Sequence, residues 1–322
     1  MARLRRSRTT KPGLGRRRSG SGFRYVGLDG GTVSDEDRER IDALAIPPAW
    51  TNLWIAPDEL GHIQAIGTDA AGRRQYLYHP DWRVKRDRVK FERALDLAAT
   101  LTAARAQVTR DLRADEPTRQ RALAAAFRIL DTASPRVGGE RYLESNGSFG
   151  LTTLLGSHVT LRDDHVSIHF RGKGGLDWEA EFDDADLSSV IRALKRRGGD
   201  ARLLAYKDAG SWHPLAAHDV NDYVRERTRG EFTAKDFRTL RGTIVAAQSL
   251  AASGTSRVRR DRQAAISRAM DAASETLGNT PTIARKSYVD PRVVNLYRRG
   301  KTLDSKPGSS PEKALRKLLG AD

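Results

Sequence analysis

Four short segments carry residues suited to anionic oxygens. Arg136 follows Pro135 at the end of an expected helix, with Gly138-Gly139 just after it. Lys173 sits in the run Gly172-Lys173-Gly174-Gly175, a tip where a long ammonium reaches outward past little backbone bulk. Arg238 lies in KDFRTLRGT at the mouth of a helix, and Tyr288 lies in GNTPTIARKSYVDP close to Arg285 and Lys286. Guanidinium and ammonium groups bind charged oxygens through charge-assisted hydrogen bonds. Taken singly, each residue also has an ordinary reading: a surface arginine, a turn lysine, a capping arginine and a half-buried tyrosine. Spacing alone does not unite them.

Other chemistries find less support. The chain has no cysteine, which removes disulfides, thiolate catalysis, zinc–cysteine sites and iron–sulfur clusters. His165 and His169 would share one face of a strand, but no third ligand is apparent, so a metal site is not expected. Nothing matches the GxxxxGK[ST] phosphate loop, and no GxGxxG lies between a strand and a helix, so ATP dependence is not expected either. No Ser/His/Asp arrangement stands out by local pattern.

The charge balance points to a polyanion. Of 322 residues, 57 are Lys or Arg against 41 Asp or Glu, a formal charge of +16. Neutralising phosphates releases counterions and favours binding. Residues 1–24 hold nine basic residues and no acid, and residues 1–22 read as a flexible basic arm or, less pointedly, a solubilising tail. No apolar run approaches the roughly 20 residues that span a bilayer, and no apolar stretch follows the first arginines as in a secretory signal.

The elements that must position these residues fall into two folded regions and a tail. Residues 23–88, rich in Trp, Tyr, Gly and Pro, predict a small antiparallel sheet with strands at Asn52–Ile55, His62–Thr68 and Arg74–His79. A short helix over Asp35–Leu44 is opened by Ser34. Residues 89–300 predict helices over Phe91–Leu112 and Pro117–Thr132, then strands at His158–Arg162, His165–Arg171 and Leu176–Phe182. Further helices are expected at Leu187–Arg197, Asp219–Thr228, Leu240–Ser253, Arg257–Leu277 and Thr282–Arg298. Residues 301–322 read as a loosely held tail with one short amphipathic stretch.

The segments RVGGERYLESNGSFGLTTLLGSHV, FRGKGG, KDFRTLRGT and LGNTPTIARKSYVDP occur in this order and together strongly resemble the type IB DNA topoisomerases of the bacterial, poxvirus-like class. The upstream segment IPPAWTNLWIAPDELGHIQAIGTDAAGRRQYLYHPDW is similar to that family's amino-terminal domain. The resemblance covers about residues 23–300. It implies an α+β fold: a small antiparallel β-rich N-terminal domain and a larger, mainly helical catalytic domain with a small sheet, related to the tyrosine recombinases. It also implies a clamp around duplex DNA, work as a monomer without cofactor or metal, and a cytoplasmic, nucleoid location.

Carried over position by position, the family's catalytic set falls on Arg136, Lys173, Arg238, Asn279 and Tyr288. The implied reaction is attack of the Tyr288 oxygen on a DNA phosphorus, leaving a 3′-phosphotyrosyl link and a free 5′-hydroxyl. The covalent link conserves the bond energy, so religation needs no ATP. The two arginines would stabilise charge growing on the phosphate, while Lys173 would supply the proton that a guanidinium does not give up. Other members of the class often carry His where this chain has Asn279, while some bacterial members use Asn, which can hydrogen-bond but not exchange a proton near neutrality. Gln75, Tyr76 and Tyr78 in GRRQYLYH align with positions that enter the major groove, and Tyr142 and Lys235 with positions near the backbone phosphates. The ordinary reading of Tyr76 and Tyr78 is two aromatics on one strand face. Two rivals remain at this stage. A tyrosine recombinase would carry HxxR where this chain reads Lys235-Asp236-Phe237-Arg238. A non-catalytic, histone-like protein would explain the charge but not the ordered set.

Overall fold

A computed structural model describes residues 3–115, 117–304 and 310–321. The chain divides into two compact units, Met1–Val89 and Lys90–Asp322. Residues 1 and 2 of the expected arm, and residues 305–309 and 322 of the expected tail, lie outside the described residues.

In the first unit, β1 (Gly15–Ser19) and β2 (Gly22–Val26) form a hairpin, followed by α1 (Asp35–Ala43). The Ser34 hydroxyl accepts the Asp37 N–H at 3.1 Å, and three acids in the first turn favour the helix dipole. Strands β3 (Thr51–Ile55), β4 (Ile63–Thr68) and β5 (Arg74–Tyr78) make an antiparallel sheet in chain order, which leaves β5 at an edge. Leu14, Ile41, Ile46, Ile55 and Ala65 form the core beneath it.

The basic segment differs from the flexible arm expected for residues 1–22. Besides forming β1, it exchanges backbone hydrogen bonds between Leu14 and Ile55 at 2.8 and 2.9 Å, and Leu14 is buried. The Ser7 hydroxyl bonds both the carbonyl and the N–H of Ile63, and the Arg16 guanidinium donates to the carbonyls of Pro47, Pro48 and Trp50. Composition misleads here. One buried apolar side chain, a run of backbone partners and the tethered side chains of Ser7 and Arg16 fix a segment that is otherwise largely exposed.

The second unit holds the remaining helices and sheets, beginning within α2 (Pro80–Leu112), which runs through the division. Helix α3 (Arg119–Ala133) is buried along nine positions, with Phe127 edge-on to Phe237 at 5.3 Å and to Tyr223 at 6.2 Å. Such a helix is a core element rather than a surface one. After α4 (Glu140–Asn146), strands β6 (Val159–Arg162), β7 (His165–Arg171) and β8 (Asp177–Asp183) form an antiparallel sheet. The hairpin at Asp163-Asp164 has Asp163 at φ 53°, which Asp tolerates. Then come α5 (Ala185–Lys195), the hairpin β9 (Ala205–Asp208) and β10 (Ser211–Pro214), α6 (Ala217–Thr228), α7 (Ala234–Ala252) and α8 (Arg259–Leu277). The last elements are α9 (Pro281–Ser287), α10 (Pro291–Arg298) and α11 (Pro311–Leu319). The molecule is therefore of the expected α+β class, a small β-rich part followed by a mainly helical one with a small sheet.

Several elements differ from the sequence expectation. Helix α2 starts at Pro80, eleven residues before Phe91, because proline suits a helix's first turn. Helix α7 starts at Ala234, since Asp236 accepts the Thr233 N–H at 2.8 Å and closes the entry. The single helix expected over Thr282–Arg298 is two, broken at Tyr288–Asp290, where Asp290 caps α10 and Pro291 opens it. The β9–β10 hairpin was not foreseen. The amphipathic stretch of the tail is docked as α11: Leu315 is fully buried, Glu312 binds Arg105 at 2.5 Å, and Arg316 donates to the Leu95 carbonyl at 2.8 Å. No helix among the described residues is long and apolar enough to cross a membrane.

Candidate active site

The end of α8 is where the second unit gathers its cations. Arg238, on the first turns of α7, is 3% exposed, and its two terminal nitrogens donate to the Ser134 carbonyl at 2.7 Å and the Leu277 carbonyl at 2.8 Å. Arg136 donates to the carbonyl of the next residue, Gly278, at 3.0 Å. Two guanidinium groups thus grip adjacent carbonyls at the C-terminus of one helix, where the macrodipole is negative and favours cations. Both halves of the arrangement depend on left-handed residues. Ser134, at φ 53°, ends α3 and turns its carbonyl toward Arg238, and Gly278, at φ 57°, ends α8.

Tyr288 lies under Arg238, whose guanidinium carbon is 5.0 Å from the ring centroid. Burial by itself raises the phenol, but the positive charge of Arg238, then of Arg136 and Lys235, outweighs it and holds Tyr288 below its ordinary value of 10.0. The same burial lowers the Arg238 guanidinium, Tyr288 opposes this, and Arg136 adds to it. The Tyr288 main chain is fixed from two sides. Its N–H donates to the Ala284 carbonyl at 2.9 Å, and its carbonyl lies 2.9 Å from the buried Thr243 hydroxyl, which also accepts the Asp290 N–H at 3.1 Å. A Cβ added at Gly242 would lie 2.9 Å from Leu277 Cδ1 and 3.0 Å from the Tyr288 Cβ, so the glycine lets α7 pack unusually close to the tyrosine.

Asn279 follows directly. Its backbone N–H bonds the Ser274 carbonyl at 3.0 Å, yet both polar atoms of its side chain are buried with no hydrogen-bond partner among the described residues. Arg238 Nε is in the same condition. Buried polar atoms without partners cost stability, and an oxygen of a bound ligand is one partner that can supply the missing bond to an N–H. A phosphate oxygen is such a partner.

The loop carrying Arg136 is strapped by the chain returning after α4. Leu151 and Thr152 N–H groups donate to the Arg136 and Val137 carbonyls, both at 2.9 Å. A Cβ at Gly150 would meet the Gly138 Cα at 2.6 Å, so two glycine backbones pack directly together here. Lys173 occupies the turn between β7 and β8. It is exposed and makes no hydrogen bond or ion pair among the described residues, and nothing brings it into contact with Arg136, Arg238 or Tyr288. Its hairpin nonetheless reaches the site's rim, because a Cβ on Gly278 would lie 2.6 Å from the Trp178 ring.

The remaining candidates divide. Lys235 is exposed one turn before Arg238 on the same helix face, and its charge is felt by Tyr288. Tyr142 stands exposed on α4. In the first unit, the rings of Tyr76 and Tyr78 stack at 6.1 Å, flanked by the Arg74 and Arg86 guanidinium groups at 5.6 and 5.7 Å. Gln75, on the opposite strand face, donates to Asp69 at 2.9 Å. Sequence reasoning missed Thr243, Gly242, Gly150 and Trp178. A glycine in mid-helix within LRGT was the one signal available. Asp236 of the KDFR run is a structural residue, binding Arg93 at 3.0 Å as well as closing α7.

The chain is similar to known proteins over most of its length. The family model described as the eukaryotic DNA topoisomerase I catalytic core matches residues 79–306, and that described as the bacterial DNA topoisomerase IB N-terminal domain matches residues 22–69. The DNA topoisomerase 1B of Acanthamoeba polyphaga mimivirus is 31% identical over 294 residues, covering 88% of this chain and 87% of that protein. The DNA topoisomerase 1B of Vaccinia virus (strain Copenhagen) is 28% identical over 158 residues, covering 46% of this chain and 49% of that one. Matched in order from the β-rich unit through the cationic site, the chain belongs to the type IB DNA topoisomerases and is an enzyme of that family.

Proposed function

We propose that the enzyme relaxes supercoiled duplex DNA by cutting and resealing one strand through Tyr288, with neither nucleotide nor metal. In the forward step the Tyr288 oxygen, losing its proton, bonds to the scissile phosphorus. The bond from phosphorus to the 5′ oxygen breaks, and that oxygen leaves with a proton. The reverse step, attack by the 5′-hydroxyl on the phosphotyrosine, reseals the strand. One bond is exchanged for one bond, so no fuel is consumed.

The observation that carries this reading is the constellation itself. Arg136 and Arg238 hold neighbouring carbonyls, Tyr288 lies beneath Arg238, and the Asn279 amide is buried without a partner among the described residues. Arg136 and Arg238 bridge to nonbridging oxygens and stabilise the pentacoordinate state, each donor being worth about 3–4 kcal/mol in comparable sites. Asn279 adds a neutral donor. Guanidinium groups do not release protons near neutrality, so Lys173 on its glycine turn serves as the acid for the 5′ oxygen. Tyr76, Tyr78, Tyr142 and Lys235 contact the duplex, and Gln75 reads a base edge.

The deciding experiment incubates supercoiled plasmid with the enzyme in EDTA and no nucleotide. Relaxation of positive and negative supercoils is expected, and Tyr288→Phe binds duplex normally but forms no covalent adduct. An adduct in that variant reassigns the nucleophile. For Lys173→Ala, slow cleavage should be rescued by a sulfur at the 5′-bridging position. Absence of rescue removes the acid role.

A further inference from the structure

The turn between β4 and β5 is built around one carboxylate. Asp69 Oδ1 accepts the Ala71 N–H at 3.0 Å and the Arg73 N–H at 2.9 Å, and Oδ2 accepts Arg73 Nε and Gln75 Nε2, both at 2.9 Å. The side chain is 15% exposed. The backbone N–H and then the side chain of Arg73 hold the Asp69 carboxyl at about 2, so it is an anion wherever the enzyme works.

An ionised carboxylate only accepts hydrogen bonds, whereas a glutamine amide has one accepting and one donating end. Asp69 therefore fixes which way the Gln75 amide faces: the nitrogen turns toward the carboxylate, with one N–H engaged and one left, and Oε1 turns away. Strand β5 is the edge of the β3–β4–β5 sheet, and in the major groove each base pair presents a distinct pattern of donors and acceptors to a side-chain amide.

We propose that Asp69 is a specificity-determining positioning residue that locks Gln75 to read adenine in the major groove. The inference rests on the reading of Gln75 as a groove contact. In the locked orientation Oε1 accepts from the adenine N6 amine while the remaining Nε2 hydrogen reaches N7. Guanine places O6 opposite Oε1, two acceptors face to face, and is rejected. A glutamine without the lock turns over and donates to guanine instead, so discrimination falls although the residue is unchanged.

The test measures single-turnover cleavage on duplexes carrying each of the four base pairs at every position flanking the cut. The proteins are the full-length wild type, Asp69→Ala, Asp69→Asn, Gln75→Ala and the double variant. Wild type is expected to prefer adenine over guanine at one position, and Asp69→Ala to lower that ratio by about tenfold. Asp69→Asn, which keeps an accepting oxygen, should retain part of the ratio. Once Gln75 is alanine, removing Asp69 should change the ratio no further. Asp69→Ala with a wild-type ratio overturns the proposal. So does an equal loss of cleavage on all four base pairs in both backgrounds, which marks a turn that merely needs Asp69 to fold. A Gln75→Ala variant that keeps the full preference overturns the groove reading itself, and the proposal with it.

Discussion

Replacing Thr243 by valine keeps the shape of the side chain and removes one buried hydroxyl. That hydroxyl accepts the Asp290 N–H at 3.1 Å and shares its single proton between the carbonyls of Thr239 and Tyr288, each 2.9 Å away. Thr243 is 3% exposed, so water cannot replace these bonds. An N–H left unpaired in such a place costs about 1–3 kcal/mol. For a domain of this size, a loss of about 2 kcal/mol lowers the Tm by roughly 4–8 °C. The catalytic loss should be larger in proportion. The Tyr288 main chain loses its anchor to α7, and a displacement of about 1 Å in a reacting group can cost on the order of 100-fold. The assay is single-turnover cleavage alongside duplex affinity and thermal melting. Thr243→Val should cleave about 10–100-fold more slowly at near-normal affinity, and Thr243→Ser should recover most of the rate. Wild-type cleavage in the valine variant, or a serine variant as slow as valine, refutes the anchoring argument.

Three other perturbations follow from the same geometry. Burial raises the Tyr288 phenol and nearby cations more than reverse it, so cleavage should rise with pH through an inflection below 10.0; Lys235→Ala, removing one cation, should move the inflection upward, and an unmoved profile would show that its charge is not felt. Gly150→Ala forces a Cβ within 2.6 Å of the Gly138 Cα, displacing the loop that carries Arg136. Cleavage should fall by on the order of tenfold or more, and an unaltered rate would mean the two backbones part easily. Leu315→Ala empties a fully buried position under α11 and should cost about 2–5 kcal/mol. Melting and limited proteolysis near residue 310 report it, and an unchanged Tm would mean that α11 contributes little.

The sequence was most legible where periodicity and caps agree. Ser34 opening α1, the Asp163-Asp164 hairpin and Gly278 ending α8 are each visible in local residue types. Composition failed where a few contacts outweigh many charged side chains: Leu14 decides the fate of the basic segment, and Leu315 that of the tail. The break at Tyr288–Asp290 was written in Asp290-Pro291, a cap followed by a helix-opening proline, but the apolar pattern continues across it and hides the signal. The order of the motifs pointed to Arg136, Arg238, Asn279 and Tyr288, which the structure brings together at the end of α8, whereas Thr243 and Gly150 act through a backbone carbonyl and a close backbone approach. Such roles leave no mark of residue chemistry. Lys173 remains a sequence assignment, since the structure records no contact between it and the other four.

The break beside Tyr288 also bears on mechanics. On the mechanism proposed above, a severed strand end carried on this ring would tug as the duplex spins, and the load would enter the protein at one side chain. It passes from the Tyr288 main chain into Thr243 and Ala284, that is, into a buried helix and a short one, with no slack loop between. The tyrosine would then behave as a fixed post rather than a spring, leaving rotation to the single bonds of the nucleic acid itself.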